Sequence, residues 1–251
     1  MEKILVINPN TSESMTNEID KIAQEFSTED FKIQTVHAAE GPITIDDFYD
    51  DSIATIGVLR EVKKGIKVGF DGFVIACAFD PGLYAARQLS DVPVIGISEA
   101  SILLSCMLGY KFSILTLTKK AVSVVEEQIK RYGMGERLAS IRTIDLNVQQ
   151  VEEDKELTIK RLKVEGKKAI EEDRADVLIL GCAGMVGLDK KLEEELGVPT
   201  IDPVRAGLTM IKALLQFNKR TSRQSAFMYP DKKVRKGRID PLSEDPKTYR
   251  H

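Results

Sequence analysis

The apolar positions of this chain form short unbroken runs, and between them lie segments with helical spacing. Residues 3–7, Lys-Ile-Leu-Val-Ile, read as a strand without alternation, the pattern of a parallel strand covered on both faces. The turn 8–12, Asn-Pro-Asn-Thr-Ser, follows, and residues 15–26 carry helical spacing with Ser12 or Ser14 as the cap. Residues 31–36 predict a second strand, and a helix opening at Asp50 or Asp51 predicts to about residue 67. Residues 72–76 predict a third, buried strand that runs into Cys77, and a helix over 82–88 follows, with Asp80 as N-cap and Pro81 in its first turn. Residues 92–95 form a short fourth strand that Pro93 pushes to a sheet edge, and 99–108 form a helix.

The pattern then restarts. Residues 111–116 repeat the opening strand 108 positions on (111 − 3), and 198–201 repeat 92–95 at 106 (198 − 92). Between them come a helix at 119–131, a strand at 141–146, a long charged helix at 152–172, a strand at 177–181 ending in Cys182, and a helix at 189–196. Each cysteine follows an aspartate by six positions (77 − 71 and 182 − 176), and the two cysteines lie 105 apart (182 − 77). This is an internal duplication at domain scale. Alternating strands and helices predict an α/β fold of two similar α/β domains with parallel sheets, which the duplication can relate by a pseudo-two-fold axis. The first domain is expected over 1–98 plus about 205–218, through a last helix at 204–217 that packs back on it. The second is expected over 99–204, and 219–251 forms a polar C-terminal extension expected to serve assembly into a homo-oligomer.

Composition narrows the chemistry. The net charge of −3 offers no global basic field for nucleic acid, and no apolar run approaches the ~20 residues of a membrane span. The start, Met-Glu-Lys-Ile-Leu-Val-Ile, is a strand rather than a secretion signal, and three cysteines fit free thiols in the cytoplasm. Only two histidines, His37 and His251, are present, which removes most metal sites and most Cys–His nucleophile pairs. Gly181 and Gly184 flank Cys182 without a dinucleotide fingerprint, so a dinucleotide site has little support.

In open parallel sheets, ligands bind beyond the carboxyl ends of the strands. If the halves face each other, Asn8 opposes Thr116 and Cys77 opposes Cys182 across one small molecule. A thiol on each face is what inversion at carbon requires: one thiolate removes a proton and the other thiol returns one to the opposite face. A lone strand-end cysteine is ordinarily a small core hydrophobe, as Cys106 on its apolar helix illustrates, but two in equivalent frames point to chemistry. Asn8 reads equally as turn chemistry or as a ligand, Thr116 and Thr118 equally as strand and cap residues or as ligands. Amides and helix N-termini beside the cysteines are expected to favour the thiolates near neutrality.

The segments Asn8-Pro-Asn-Thr-Ser12, Gly41-Pro42, Cys77-Ala-Phe-Asp-Pro-Gly82, Gly96-Ile-Ser-Glu-Ala100, Gly181-Cys-Ala-Gly-Met185 and Ile201-Asp-Pro203 resemble the hydantoin racemase family, which includes allantoin racemases, within the aspartate/glutamate racemase superfamily. The resemblance spans roughly residues 3–217. It implies two α/β domains with the active site between them and racemisation of a 5-substituted hydantoin with no cofactor and no metal, with Cys77 and Cys182 as the catalytic acid/base pair. It also implies a substrate site of Asn8, Pro42, Ala78, Phe79, Thr116, Thr118, Ala183 and Gly184. Leu117 departs from the pattern, standing where many relatives carry a second hydroxyl. Alternatives are an amino-acid racemase, maleate isomerase or decarboxylase of the same superfamily, or a non-catalytic small-molecule-binding protein.

Overall fold

The computed structural model describes residues 1–231; of the C-terminal extension, residues 232–251 lie outside the described part. The first half runs β1 (Glu2–Asn8), α1 (Glu13–Gln24), β2 (Phe31–His37), α2 (Phe48–Val68), β3 (Gly72–Ile75), α3 (Leu83–Leu89), β4 (Val94–Gly96) and α4 (Ile97–Leu108). The second half runs β5 (Phe112–Thr116), α5 (Lys119–Arg131), β6 (Leu138–Thr143), α6 (Val148–Glu153), α7 (Lys155–Glu171), β7 (Val177–Leu180), α8 (Asp189–Leu196) and β8 (Thr200–Ile201), followed by α9 (Pro203–Gln216). Two parallel sheets of identical order result, β2-β1-β3-β4 and β6-β5-β7-β8. The central pairs end in matching register, Ile7 opposite Ile75 and Leu115 opposite Leu180. The expected duplicated α/β fold is therefore the observed one.

The equivalence extends to single hydrogen bonds. Asp71 accepts the Lys3 amide at 2.8 Å and returns its own amide to the Lys3 carbonyl at 2.8 Å. Asp176 accepts the Lys111 amide at 2.9 Å and returns its amide to Lys111 at 2.8 Å. Each aspartate thus pins the start of the cysteine strand to the start of the central strand, which sets the register that delivers the cysteine at the far end.

Alternating residues of β1 serve two faces. Ile4 and Val6 join a continuous core that also takes in Ile114 of β5, Ile179 of β7 and Leu208 of α9. Leu5 and Ile7 pack with Val58, Val62, Phe73 and Leu83 beneath α2 and α3. Phe73 is wholly buried, and a side chain of that size contributes about 1.5–3 kcal/mol. α9 packs on β3, β4, α1 and α4. We propose on that ground that α9 counts with the first domain and that the boundary falls near residue 98.

Several local expectations are corrected. The helix after Cys77 begins at Leu83 behind Gly82, whose φ of +69° suits glycine, so Asp80 is not its cap. α2 opens one turn earlier than predicted, because the Asp47 carboxylate accepts the Tyr49 and Asp50 amides. The predicted helix over 152–172 is two helices. Asn147 and Gln150 build a capping box that starts α6 early, and Asp154 ends α6 and caps α7 through the Leu157 amide at 2.8 Å. β6 starts at Leu138, opposite Phe112, and Asp145 with φ +52° turns the chain off the sheet. Among the described residues, no helix is long and apolar enough to cross a membrane.

Candidate active site

Asn8 is the last residue of β1 and Thr116 the last of β5. Cys77 follows the end of β3 by two residues (77 − 75), as Cys182 follows that of β7 (182 − 180). All four line one cleft, together with Ala78, Phe79, Thr118 and Ala183. Pro42 and Gly184 are outside the lining. The Pro42 carbonyl accepts the Thr11 amide at 3.0 Å, which ties a loop to the turn after β1. Gly184 works on the sulfur instead: its amide donates to Cys182 Sγ at 3.3 Å.

The two cysteine loops are built alike. The Cys77 carbonyl accepts the Asp80 amide at 2.9 Å and the Cys182 carbonyl the Met185 amide at 3.1 Å, a turn of three residues in each case. The Phe79 amide faces Cys77 as the Gly184 amide faces Cys182, each two residues beyond its cysteine. Both thiols are free and partly exposed to the cleft. Gly181 is required just before Cys182, because a Cβ there would lie 2.9 Å from the Leu115 carbonyl oxygen.

Electrostatics correct one expectation. Burial pushes the Cys77 thiol well above its ordinary value; the Phe79 amide opposes this, while Asp51, Cys182 and Asp80 add to it. Burial raises Cys182 to about 11, against the Gly184 amide and Lys155, with Asp46 and Glu152 adding to the rise. The amides that should favour the thiolates are present, but desolvation outweighs them, and no long helix begins at either sulfur. Burial thus shifts both thiols towards their protonated forms. A thiolate formed in this dry setting is correspondingly more basic towards a carbon acid.

The polar walls differ in what they offer. The Asn8 Nδ2 group donates to Asn10 Oδ1 at 2.7 Å and to Thr16 Oγ1 at 3.0 Å, so its donors already hold the first turn of α1. Thr116 Oγ1 is buried with no hydrogen-bond partner among the described residues. Thr118 is the N-cap of α5 without a side-chain capping bond. Sequence reasoning missed Asn10, Met15, Ile45, Asp46, Ala121 and Val148, all of which line the cleft. The Asn147–Gln150 spacing was the available signal for Val148, since it starts the helix that carries it. Ile45 and Asp46 sit on the loop before α2, where no pattern marks a site. His37 bonds its neighbour's carbonyl, Ala38 O, at 3.0 Å and does not line the cleft.

Two equivalent parallel-sheet halves close over one cleft that takes a cysteine from each, the arrangement of a small-molecule α/β protein. The chain belongs to the Asp/Glu/Hydantoin racemase family, which it matches over residues 4–211. It is 42% identical over 238 residues to a hydantoin racemase of Pseudomonas sp. strain NS671, covering 95% of this chain and 96% of that one. A hydantoin racemase of Paenarthrobacter aurescens is 36% identical over 232 residues, covering 92% and 98%. The solved structure of an allantoin racemase from Klebsiella pneumoniae superposes with a TM-score of 0.93 at 35% identity, covering 98% of this chain and 100% of that one. These relatives make the chain an enzyme of the racemase class.

Proposed function

We propose that this racemase inverts C5 of 5-substituted hydantoins without a cofactor, with Cys77 and Cys182 as its acid/base pair. The observation that carries the reading is the pair of thiols at equivalent strand ends, lining one cleft and each facing an amide two residues on. The C5 proton lies beside a ring carbonyl, so its removal gives an enolate. One cysteine, as thiolate, takes that proton and becomes a thiol. The other, as thiol, delivers its proton to the opposite face and becomes the thiolate. Thr116 holds the ring through its hydroxyl and Asn8 through its amide oxygen, which accepts a ring N–H, and the amides around Ala78, Phe79, Ala183 and Gly184 steady the sulfurs and the developing oxyanion.

Met15, Ile45, Phe79, Leu117 and Val148 give the cleft apolar walls that suit a hydrocarbon or thioether substituent, while Asn10, Asp46 and Thr118 also line it and offer polar partners to a ureido group. The second reading, allantoin, is supported by the fit to the Klebsiella pneumoniae structure. The chain is expected to act in the cytoplasm as a homo-oligomer. The test is a panel of enantiopure 5-alkylhydantoins, allantoin, aspartate and glutamate in D₂O after exhaustive EDTA treatment, followed by optical rotation and NMR. The proposal predicts inversion of hydantoins with deuterium at C5. Inversion of aspartate or glutamate alone, or recovery only on adding one divalent metal, overturns it.

A further inference from the structure

Each cysteine loop is tethered to the N-terminus of the helix that follows the outermost strand of its own half. In the first half the tether is Asp80, three residues beyond Cys77. Its carboxylate accepts the Ser98 amide at 3.0 Å and the Glu99 amide at 2.9 Å, both in the first turn of α4, and the Tyr132 hydroxyl at 2.6 Å. In the second half the tether is Asp202, the N-cap of α9. Its carboxylate accepts the Val204 and Arg205 amides at 2.8 and 3.1 Å and reaches back to the Gly187 amide of the Cys182 loop at 2.7 Å. One carboxylate comes from the loop, the other from the helix.

The two nevertheless fill the same place. Gly96 is the N-cap residue of α4 and Asp202 that of α9, 106 positions apart (202 − 96), which is the offset of the duplication. A Cβ on Gly96 would fall 2.2 Å from the Asp80 carboxyl carbon. The Asp80 group therefore occupies the space in which a capping side chain from residue 96 would stand. Both carboxylates are buried, at 1% and 2% exposure. A duplicated fold has kept one buried carboxylate joining cysteine loop to helix end in each half, although the residue supplying it has changed sides. Capping alone does not require that, since a cap need not touch the loop, and α4 could be capped from residue 96 itself.

We infer that Asp80 and Asp202 are positioning residues, each holding one thiol against its own face of the substrate. The inference rests on the two-thiol reading above. Neither carboxylate lines the cleft, so each acts through its loop. Displacing a reacting group by about 1 Å can cost about 100-fold in rate, so slackening one tether should impair one thiol selectively.

The test follows exchange and inversion separately in D₂O for each pure enantiomer. Because the two enantiomers have equal free energy, a variant must lose racemisation efficiency equally in both directions, and only the ratio of exchange to inversion can reveal which thiol is misplaced. With Cys77 misplaced, the enantiomer deprotonated by Cys182 still exchanges but fails to receive a proton on the far face. Asp80→Asn should therefore raise the exchange-to-inversion ratio about tenfold for one enantiomer, the same one that Cys77→Ser affects. Asp202→Asn keeps the helix cap but puts an amide against Gly187, and should raise the ratio for the opposite enantiomer, as Cys182→Ser does. Tyr132→Phe and Asp202→Ser are the milder second variants, removing the phenol bond and shortening the reach to Gly187, with the same directions expected. Folded variants whose ratios stay equal for both enantiomers, while the cysteine variants differ, overturn the positioning role alone. Cysteine variants without opposite preferences overturn the two-thiol reading instead.

Discussion

Thr116 ends β5 inside the cleft, 1% exposed, and its hydroxyl has no partner among the described residues. A buried hydroxyl without a hydrogen bond costs about 1–3 kcal/mol relative to an apolar group of the same shape. Valine is that group: it keeps the β-branch that suits a strand and exchanges the hydroxyl for a methyl of similar size. Thr116→Val should therefore stabilise the empty enzyme by about 1 kcal/mol, or about 2–4 °C in Tm for a chain of this length. Activity should move the other way. If the hydroxyl donates to the ring oxygen on which charge develops, its loss should lower kcat by about 100- to 1,000-fold. Calorimetric melts measure the first effect and polarimetric racemisation the second. A third measurement links them: 5,5-dimethylhydantoin, which has no C5 proton, should raise the Tm of the parent more than that of the variant. A valine variant that is less stable than the parent, or that keeps full turnover, would refute the reasoning, because the hydroxyl would then be either satisfied in the empty enzyme or irrelevant to the substrate.

Further outcomes are expected. Because burial holds Cys77 well above its ordinary range and Cys182 at about 11, the thiolate is the scarce form at neutrality, and kcat/KM should climb about tenfold per pH unit from pH 7 to 9; a plateau already reached below pH 7 would contradict this. Cys77→Ser and Cys182→Ser should each abolish full racemisation yet leave deuterium exchange in one enantiomer, opposite for the two. Cys106→Ser should leave turnover nearly intact, and near-parental racemisation by a folded Cys77→Ser or Cys182→Ser would end the proposal. Truncation after Phe217 removes Arg223, which bonds the Asp91 side chain at 2.7 Å and the Arg87 carbonyl at 2.9 Å. Removing that strap should lower Tm or change the oligomer, measured by melts and light scattering, more than it lowers turnover; an inactive truncation with unchanged assembly and Tm would place the tail in the chemistry.

Much of this protein was legible in one dimension. A parallel strand covered on both faces must be apolar without a break, so the strands at 3–7, 72–76, 111–116 and 177–181 announced themselves, and the near-constant offset between their copies announced two like halves. The cysteines were legible for the same reason: each directly follows a strand whose length and direction the apolar run defines. α5 and α8 match their predicted bounds, since helical spacing decides them and Gly197, at φ +73°, ends α8. Only the tertiary structure could decide what depends on groups distant in sequence. Asp80 looked like the cap of its own helix because aspartate before Pro81 ordinarily is one, yet its carboxylate is claimed by amides 18 and 19 residues on and by Tyr132, 52 residues on. The cysteine environment was misjudged likewise: the neighbouring amides could be counted from the sequence, but the burial that outweighs them exists only where the two halves close over one cleft and bring Asn8, Leu117 and Val148 to the same lining as both thiols. Local hydrogen bonds and strand periodicity are properties of a segment, whereas burial, and with it the protonation of a thiol, is a property of everything packed around it.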